Sequence, residues 1–150
     1  TAASLLAVSG FSALADEASP SIQVSRLTLE TATTIARGAI DECRRQGVQV
    51  GVTVVDRNGI TQVTMRDTLA PPVTLTISQQ KAYTAANFMA ATSALGRVDG
   101  LLMSSVFLPV EVAGVPLGGV GVSGAPSGET DESCARAGIE AVREELELGM

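Results

Sequence analysis

The stretch "GGVGVSGAPSGETDESCARAG", Gly118 to Gly138, most restricts the fold, because it decides between two α/β architectures. Gly119 to Gly124 spell G-x-G-x-x-G, the pattern of a dinucleotide-binding loop. Such a loop opens a βαβ unit, and an acid at the end of a second strand follows about 20 residues later. Only 26 residues follow Gly124 here, and one helix takes them up. Glu129, Asp131 and Glu132 crowd the start of that helix, where they stabilise its positive end and would repel a phosphate. No Gly-Lys-Ser/Thr follows, so a P-loop fails as well. The glycines are structural. They let a strand lie close against another backbone or a flat ligand.

The remaining periodicities give one domain with the order helix, hairpin, helix, strands, helix. "LTLETATTIARGAIDECRRQG" has Thr28 as N-cap, and Leu29, Ala32, Ala36, Ala39/Ile40 and Cys43 on one face. Arg44 and Arg45 suit its last turn, and Gly47 stops it. A strand over Val48–Asp56 returns as Ile60–Arg66 through Asn58-Gly59, the two-residue hairpin signal. "LAPPV" then breaks the pattern. "TLTISQQKAYTAANFMAATSA" resumes helical spacing, with Ile77, Ala82 (or Lys81), Ala85, Phe88, Met89 and Thr92 on one side. "VFLPVEVAGVPL" holds one or two short strands broken by Pro109 and Pro116, "GGVGVSG" is a short strand, and "SGETDESCARAGIEAVREELELG" is the closing helix. The order predicts an α/β (α+β) domain around a mainly antiparallel sheet.

Composition excludes several functions. The chain has 150 residues, 45% hydrophobic and 17% charged, with a net charge of −6, which disfavours nucleic acid as a partner. It contains no histidine, which removes Ser-His and Cys-His catalysis, the commonest metal ligand and the usual proximal ligand of haem. No sequence pattern supplies catalytic residues, and the metal ligand, if any, stays unknown. Two cysteines, Cys43 and Cys134, are too few for a zinc site or a disulfide scaffold. Packed side by side, the first and last helices would allow a bridge between them; two reduced, buried cysteines are the simpler outcome.

"SLLAVSGFSALA", Ser4 to Ala15, is an apolar run that ends in Ala13-Leu14-Ala15, the pattern of a secretory leader without its basic start. The alternative is an ordinary apolar helix. The leader pattern predicts a periplasmic or secreted protein, and a cytoplasmic one if the segment is no signal. The run is too short to span a bilayer. Residues 1–27 thus form a signal-like segment and linker, and residues 28–150 one domain.

Three stretches together resemble a family. "SQQKAYTAANF" looks like the Lys-Ala-x-Thr-Ala helix of the GlcG/HbpS-like proteins, also found as the C-terminal domain of PduO-type proteins. "AGVPL" with "GVGVSGAPSGETDESCARAGIEAV" resembles their Gly-Val-Pro-Leu/Ile turn, Gly-Val-Ser-Gly strand and Asp-Glu-x-Cys/Val-Ala helix. "GVTVVDRNGITQVTMRD" is similar to their first hairpin. The resemblance implies a three-layer α/β/α, profilin-like domain with about five antiparallel strands, often assembled into homo-oligomers. It also implies a haem ligand, or less readily a corrinoid, and haem degradation has been ascribed to the group. Two departures stand out. Leu117 runs directly into Gly118-Gly119, so a hairpin is missing or shortened, and no residue matches the histidine through which relatives hold the metal.

On that resemblance Lys81, Tyr83 and Thr84 form the rim of a ligand pocket, Lys for a propionate and Tyr or Thr near the metal, with Phe88 and Met89 lining it. The plainer reading makes Lys81 a surface residue, Tyr83 a packed ring and Phe88 and Met89 core. Met65 and Met103 are soft-ligand candidates that more simply fill space. The leading expectation is an exported, non-enzymatic haem- or tetrapyrrole-binding module. The alternatives are an accessory or scaffolding subunit that has lost the cofactor, and a haem-degrading enzyme. Mean hydropathy is +0.30. The apolar run before Ala15 and Leu101, Leu102, Val106, Phe107 and Leu108 are therefore expected in subunit contacts, with Gly118, Gly119 and Gly121 admitting a neighbour's backbone.

Overall fold

A computed structural model describes residues 19–89 and 107–149. The first helix, α1 (Leu29–Arg45), starts where Thr28 Oγ1 accepts the Thr31 N–H at 3.1 Å. It ends before Gly47, whose φ of +76° suits only a residue without a side chain. β1 (Gly51–Asp56) and β2 (Thr61–Arg66) form the expected antiparallel hairpin, with β1 three residues shorter at its start than predicted. Its loop has three residues, not two. The Gly59 N–H reaches the Asp56 carbonyl at 2.9 Å and the Asp56 N–H the Ile60 carbonyl at 2.8 Å, with only Gly59 at positive φ. The Asp56 carboxylate fixes that loop by accepting the Asn58 and Ile60 N–H groups.

The two-residue turn lies elsewhere. β3 (Phe107–Val112) and β4 (Val115–Ser123) are joined by Ala113 and Gly114, both at positive φ, in a hairpin of adjacent Val112 and Val115. Neither proline breaks a strand. Pro109 stands on β3, an outer strand, and Pro116 lies in the part of β4 that β1 does not reach. The sheet order is β2-β1-β4-β3, antiparallel throughout, so the described residues supply four strands where about five were expected. β4 runs unbroken from the Val-Pro-Leu turn into the glycine strand.

Helices cover both faces. On one, α1 and α3 (Gly128–Glu140) enclose Val50, Val52, Val54, Val110, Val120 and Val122 with Ile35 and Ile40. Each such side chain contributes about 1.5–3 kcal/mol by leaving water. A disulfide joins Cys43 of α1 to Cys134 of α3, so the simpler expectation of reduced thiols is overturned. The helices meet closely because a Cβ on Gly138 would stand 2.3 Å from the Ile35 carbonyl oxygen. The closing helix is in fact two, α3 and α4 (Arg143–Leu148), with Val142 buried at the break.

The other face takes α2 (Val73–Phe88). Its inner side is Thr74, Ser78, Lys81, Ala82, Ala85 and Ala86, a smaller and more polar set than the apolar spacing predicted. β4 explains it. A Cβ on Gly121 would lie 2.0 Å from the Ser78 carbonyl oxygen, and one on Gly119 would lie 2.6 Å from that of Ala82. Gly119 and Gly121 admit this chain's own helix, and Gly118 lies against Val55 and Leu27, which corrects the expectation that the three admit a neighbouring subunit. Leu108 is also core, 7% exposed. The other residues expected in subunit contacts, apart from the backbone of Phe107 in β3, lie outside the described residues, as do Thr92 and Met103.

Candidate functional site

α2 and its cap carry Lys81, Tyr83, Thr84, Phe88 and Met89, the residues expected at a ligand pocket, and the close approach of the helix to β4 sorts them. Side chains toward the sheet must be small or must thread past it; bulky ones have to point away. Lys81 threads past. The chain's only lysine is 3% exposed, and its Nζ donates to the Val122 carbonyl and, at 2.7 Å, to Asp131 Oδ2 in the first turn of α3. Asp131 Oδ1 accepts the Ala125 N–H at 3.0 Å. Burial pushes the Lys81 ammonium down and the Asp131 carboxyl up, and each partner partly offsets the other's shift. This pair forms the floor of a groove of about 340 Å³ walled by Pro71, Val73, Ile77 and Pro126.

Neither reading of Lys81 is met: its ammonium is held within the fold, and it is no surface residue. The missed residue is Asp131, which the sequence shows only as one of three acids at a helix start. A signal existed. All nine other cations are arginine, so a lone lysine marks a place for a compact, threadable charge. Thr84 is also buried and donates to the Gln80 carbonyl at 2.9 Å.

Tyr83 and Phe88 face outward, 52% and 46% exposed, so Phe88 is not core. Tyr83, the chain's only tyrosine, leans on the β1–β2 loop: a Cβ on Gly59 would come 2.7 Å from its Cδ2. Asn87 flanks the same glycine and donates to the Tyr83 carbonyl at 2.8 Å. The Tyr83 hydroxyl makes no hydrogen bond among the described residues. Met89 ends α2 as a left-handed cap at φ 51°, its N–H on the Ala85 carbonyl, which corrects the longer helix expected. It borders a second groove of about 480 Å³ along β3, with Leu108, Val112, Ile139 and Leu146. α2 therefore offers outward aromatic rings at its C-terminal half and a half-buried thioether at its end. Met65 instead packs against the core. Among the described residues no group of three or more His, Cys, Asp or Glu converges to hold a metal ion, and no helix is long and apolar enough to cross a membrane.

The comparisons with known proteins agree on this architecture. The family model described as "Haem degrading protein HbpS-like" matches residues 27–140. A double mutant of Streptomyces reticuli HbpS shares 37% identity, covering 95% of this chain and 99% of its own, with a TM-score of 0.74. The Klebsiella pneumoniae protein ORFY shares 27%, covering 84% and 97%, at a TM-score of 0.76. PduOC, solved as a complex with haem, shares 26%, covering 77% and 94%, at a TM-score of 0.71. No curated protein matches the chain. With its helix–hairpin–helix–hairpin–helix order, its glycine strand under α2 and a match over most of its length, the chain belongs to the HbpS-like family.

Proposed function

We propose that this protein binds haem, or a related tetrapyrrole, without chemically altering it, and does so as an exported homo-oligomer. The observation that carries the reading is the exposure of Tyr83 and Phe88 on α2, two rings left in solvent, in a chain similar to PduOC, which was solved with haem. The residues fit such a group in part. Tyr83 and Met89 carry the ligand atoms, and Phe88 offers a flat apolar contact. Lys81 and Thr84 serve by packing α2, which leaves the propionates to other cations. Bound haem would supply an iron centre. Among the described residues no acid–base group stands beside Tyr83 or Met89 to drive oxygen chemistry, so the haem-degrading reading has the least support. Neither exposed ring alone covers a macrocycle, and a second copy supplies further contact surface.

Export has a second support in the Cys43–Cys134 bond, because buried disulfides persist in oxidising compartments and are rare in the cytosol. Purified protein titrated with haemin should show a saturable Soret shift, with a native mass above that of one chain. The bound spectrum should persist under ascorbate and air. The absence of histidine favours the second reading, a scaffolding subunit that has lost the cofactor. A missing Soret shift would select it.

A further inference from the structure

We infer that Tyr83 is the axial ligand of ferric haem in this chain; the inference rests on the haem-binding reading above. It follows from which donor atoms are open. The sequence has no histidine, and both cysteines are consumed in a disulfide. The Lys81 ammonium is held by Asp131 and the Val122 carbonyl, and the Thr84 hydroxyl by Gln80. Met65 lies against the core. Of the ligand candidates among the described residues, the Tyr83 phenol and the Met89 thioether remain. Ferric iron is a hard cation, and an anionic phenolate oxygen satisfies it better than a neutral, soft thioether.

The fold also holds the phenol ready. Gly59, at φ +80°, has no Cβ, so the ring lies directly on the β1–β2 loop with Asn87 beside it. Asp56 clamps that loop through the Asn58 and Ile60 N–H groups. Ring and loop therefore brace one another while the residue stays 52% exposed. Haemin bound there would exchange a solvent ligand for the Tyr83 oxygen, the phenol's proton passing to solvent as water leaves, or leaving with a displaced hydroxide as water. The iron keeps its oxidation state.

The test is haemin titration of the full chain and three variants, read by absorption, electron paramagnetic resonance and resonance Raman spectra. Wild-type protein should show phenolate-to-iron charge transfer and phenolate ring modes. Tyr83→Phe keeps the ring on Gly59 and should melt as the wild type does, yet lose both signatures and bind at least tenfold more weakly. Met89→Leu should retain them. Tyr83→His should bind haemin with an imidazole-type spectrum. A wild-type spectral shift left unchanged by Tyr83→Phe would overturn this assignment alone. No shift with the wild-type protein would overturn the haem reading and the assignment together.

Discussion

The two faces of the sheet are built on opposite principles. Toward α1 and α3 the strands present valines, and the helices answer with Ile35, Ile40 and alanines around a disulfide. Toward α2 they present Gly51, Thr53, Val55, Gly119 and Gly121, answered by Thr74, Ser78, Ala82 and Ala86. Thr53 and Ser78 share a hydrogen bond of 2.9 Å where the other face is lined by aliphatic side chains and the disulfide. The first face gains stability from apolar area, the second from close backbone approach and satisfied polar contacts. That closeness leaves no room for bulk beneath α2. The tyrosine and the helix's phenylalanine are consequently displayed outside, where a ligand or a second copy can meet them. Apolar burial is thus concentrated on one face, and the exposed rings lie on the outside of the helix that covers the other.

The largest effect is expected where the α2 face carries charge. Lys81→Met leaves the Asp131 carboxylate buried with only the Ala125 N–H, at a cost of about 3–5 kcal/mol. Lys81→Met with Asp131→Leu should recover most of that loss. The pH dependence has a definite sign. Burial already raises Asp131 above 3.8, and removing Lys81 raises it further. A raised folded value means stability is present at acid pH and lost as pH rises through it, so the single variant should be weakest near neutrality. Denaturant titrations at several pH values check this; equal loss in the single and double variants would show that the pair matters only as packing.

Breaking the apolar face calls for a different cut. Cys43→Ala with Cys134→Ala opens a loop spanning 91 residues in sequence and should cost about 3–4 kcal/mol. Amide exchange should then quicken in α1 and α3 and stay slow in α2. Gly121→Ala does the reverse. Its Cβ would meet the backbone of α2, costing about 2–3 kcal/mol and quickening exchange in α2. Matching exchange patterns in the two variants would mean that the faces unfold as one unit.

The apolar face was the legible one. Thr28, the spacing from Ala32 to Cys43 and Gly47 bound α1 almost to the residue, because capping and apolar period are local signals. α2 was placed, and its orientation was read in part. Ala82, Lys81 and Ala85 lie inside as their spacing predicts, but the inner side is otherwise marked by small size, and Phe88, expected among them, lies outside. Ala113-Gly114 was overlooked because neighbouring prolines suggested a break; strand position decides whether a proline interrupts a ladder, and that is a tertiary property. The sequence names candidate residues without their directions. Lys81 and Tyr83 are two positions apart in the chain, yet one faces Asp131 inside and the other faces solvent, a division set by the glycines of a distant strand.

A smaller effect, on the apolar face, sharpens the contrast. There the charges sit at the rim. Arg44, in the last turn of α1, forks onto both oxygens of Asp67 just past β2, at 2.7 and 2.8 Å, and the Thr68 N–H adds a third bond. These contacts, the arginine first, hold the Asp67 carboxyl below the usual value of 3.8. A lowered folded value contributes stability that is complete above 3.8 and lost as pH falls through the folded value, opposite in sign to the Lys81 variant. Asp67→Asn should lower stability modestly at neutral pH and flatten the acid limb of the curve, because Arg44 is half exposed and water screens its loss. Denaturation midpoints measured from about pH 2 to 7 would show the two curves converging toward acid. Parallel curves would mean that Asp67 acts through its loop contacts rather than through its charge, and the rim would then resemble the α2 face more than the comparison allows.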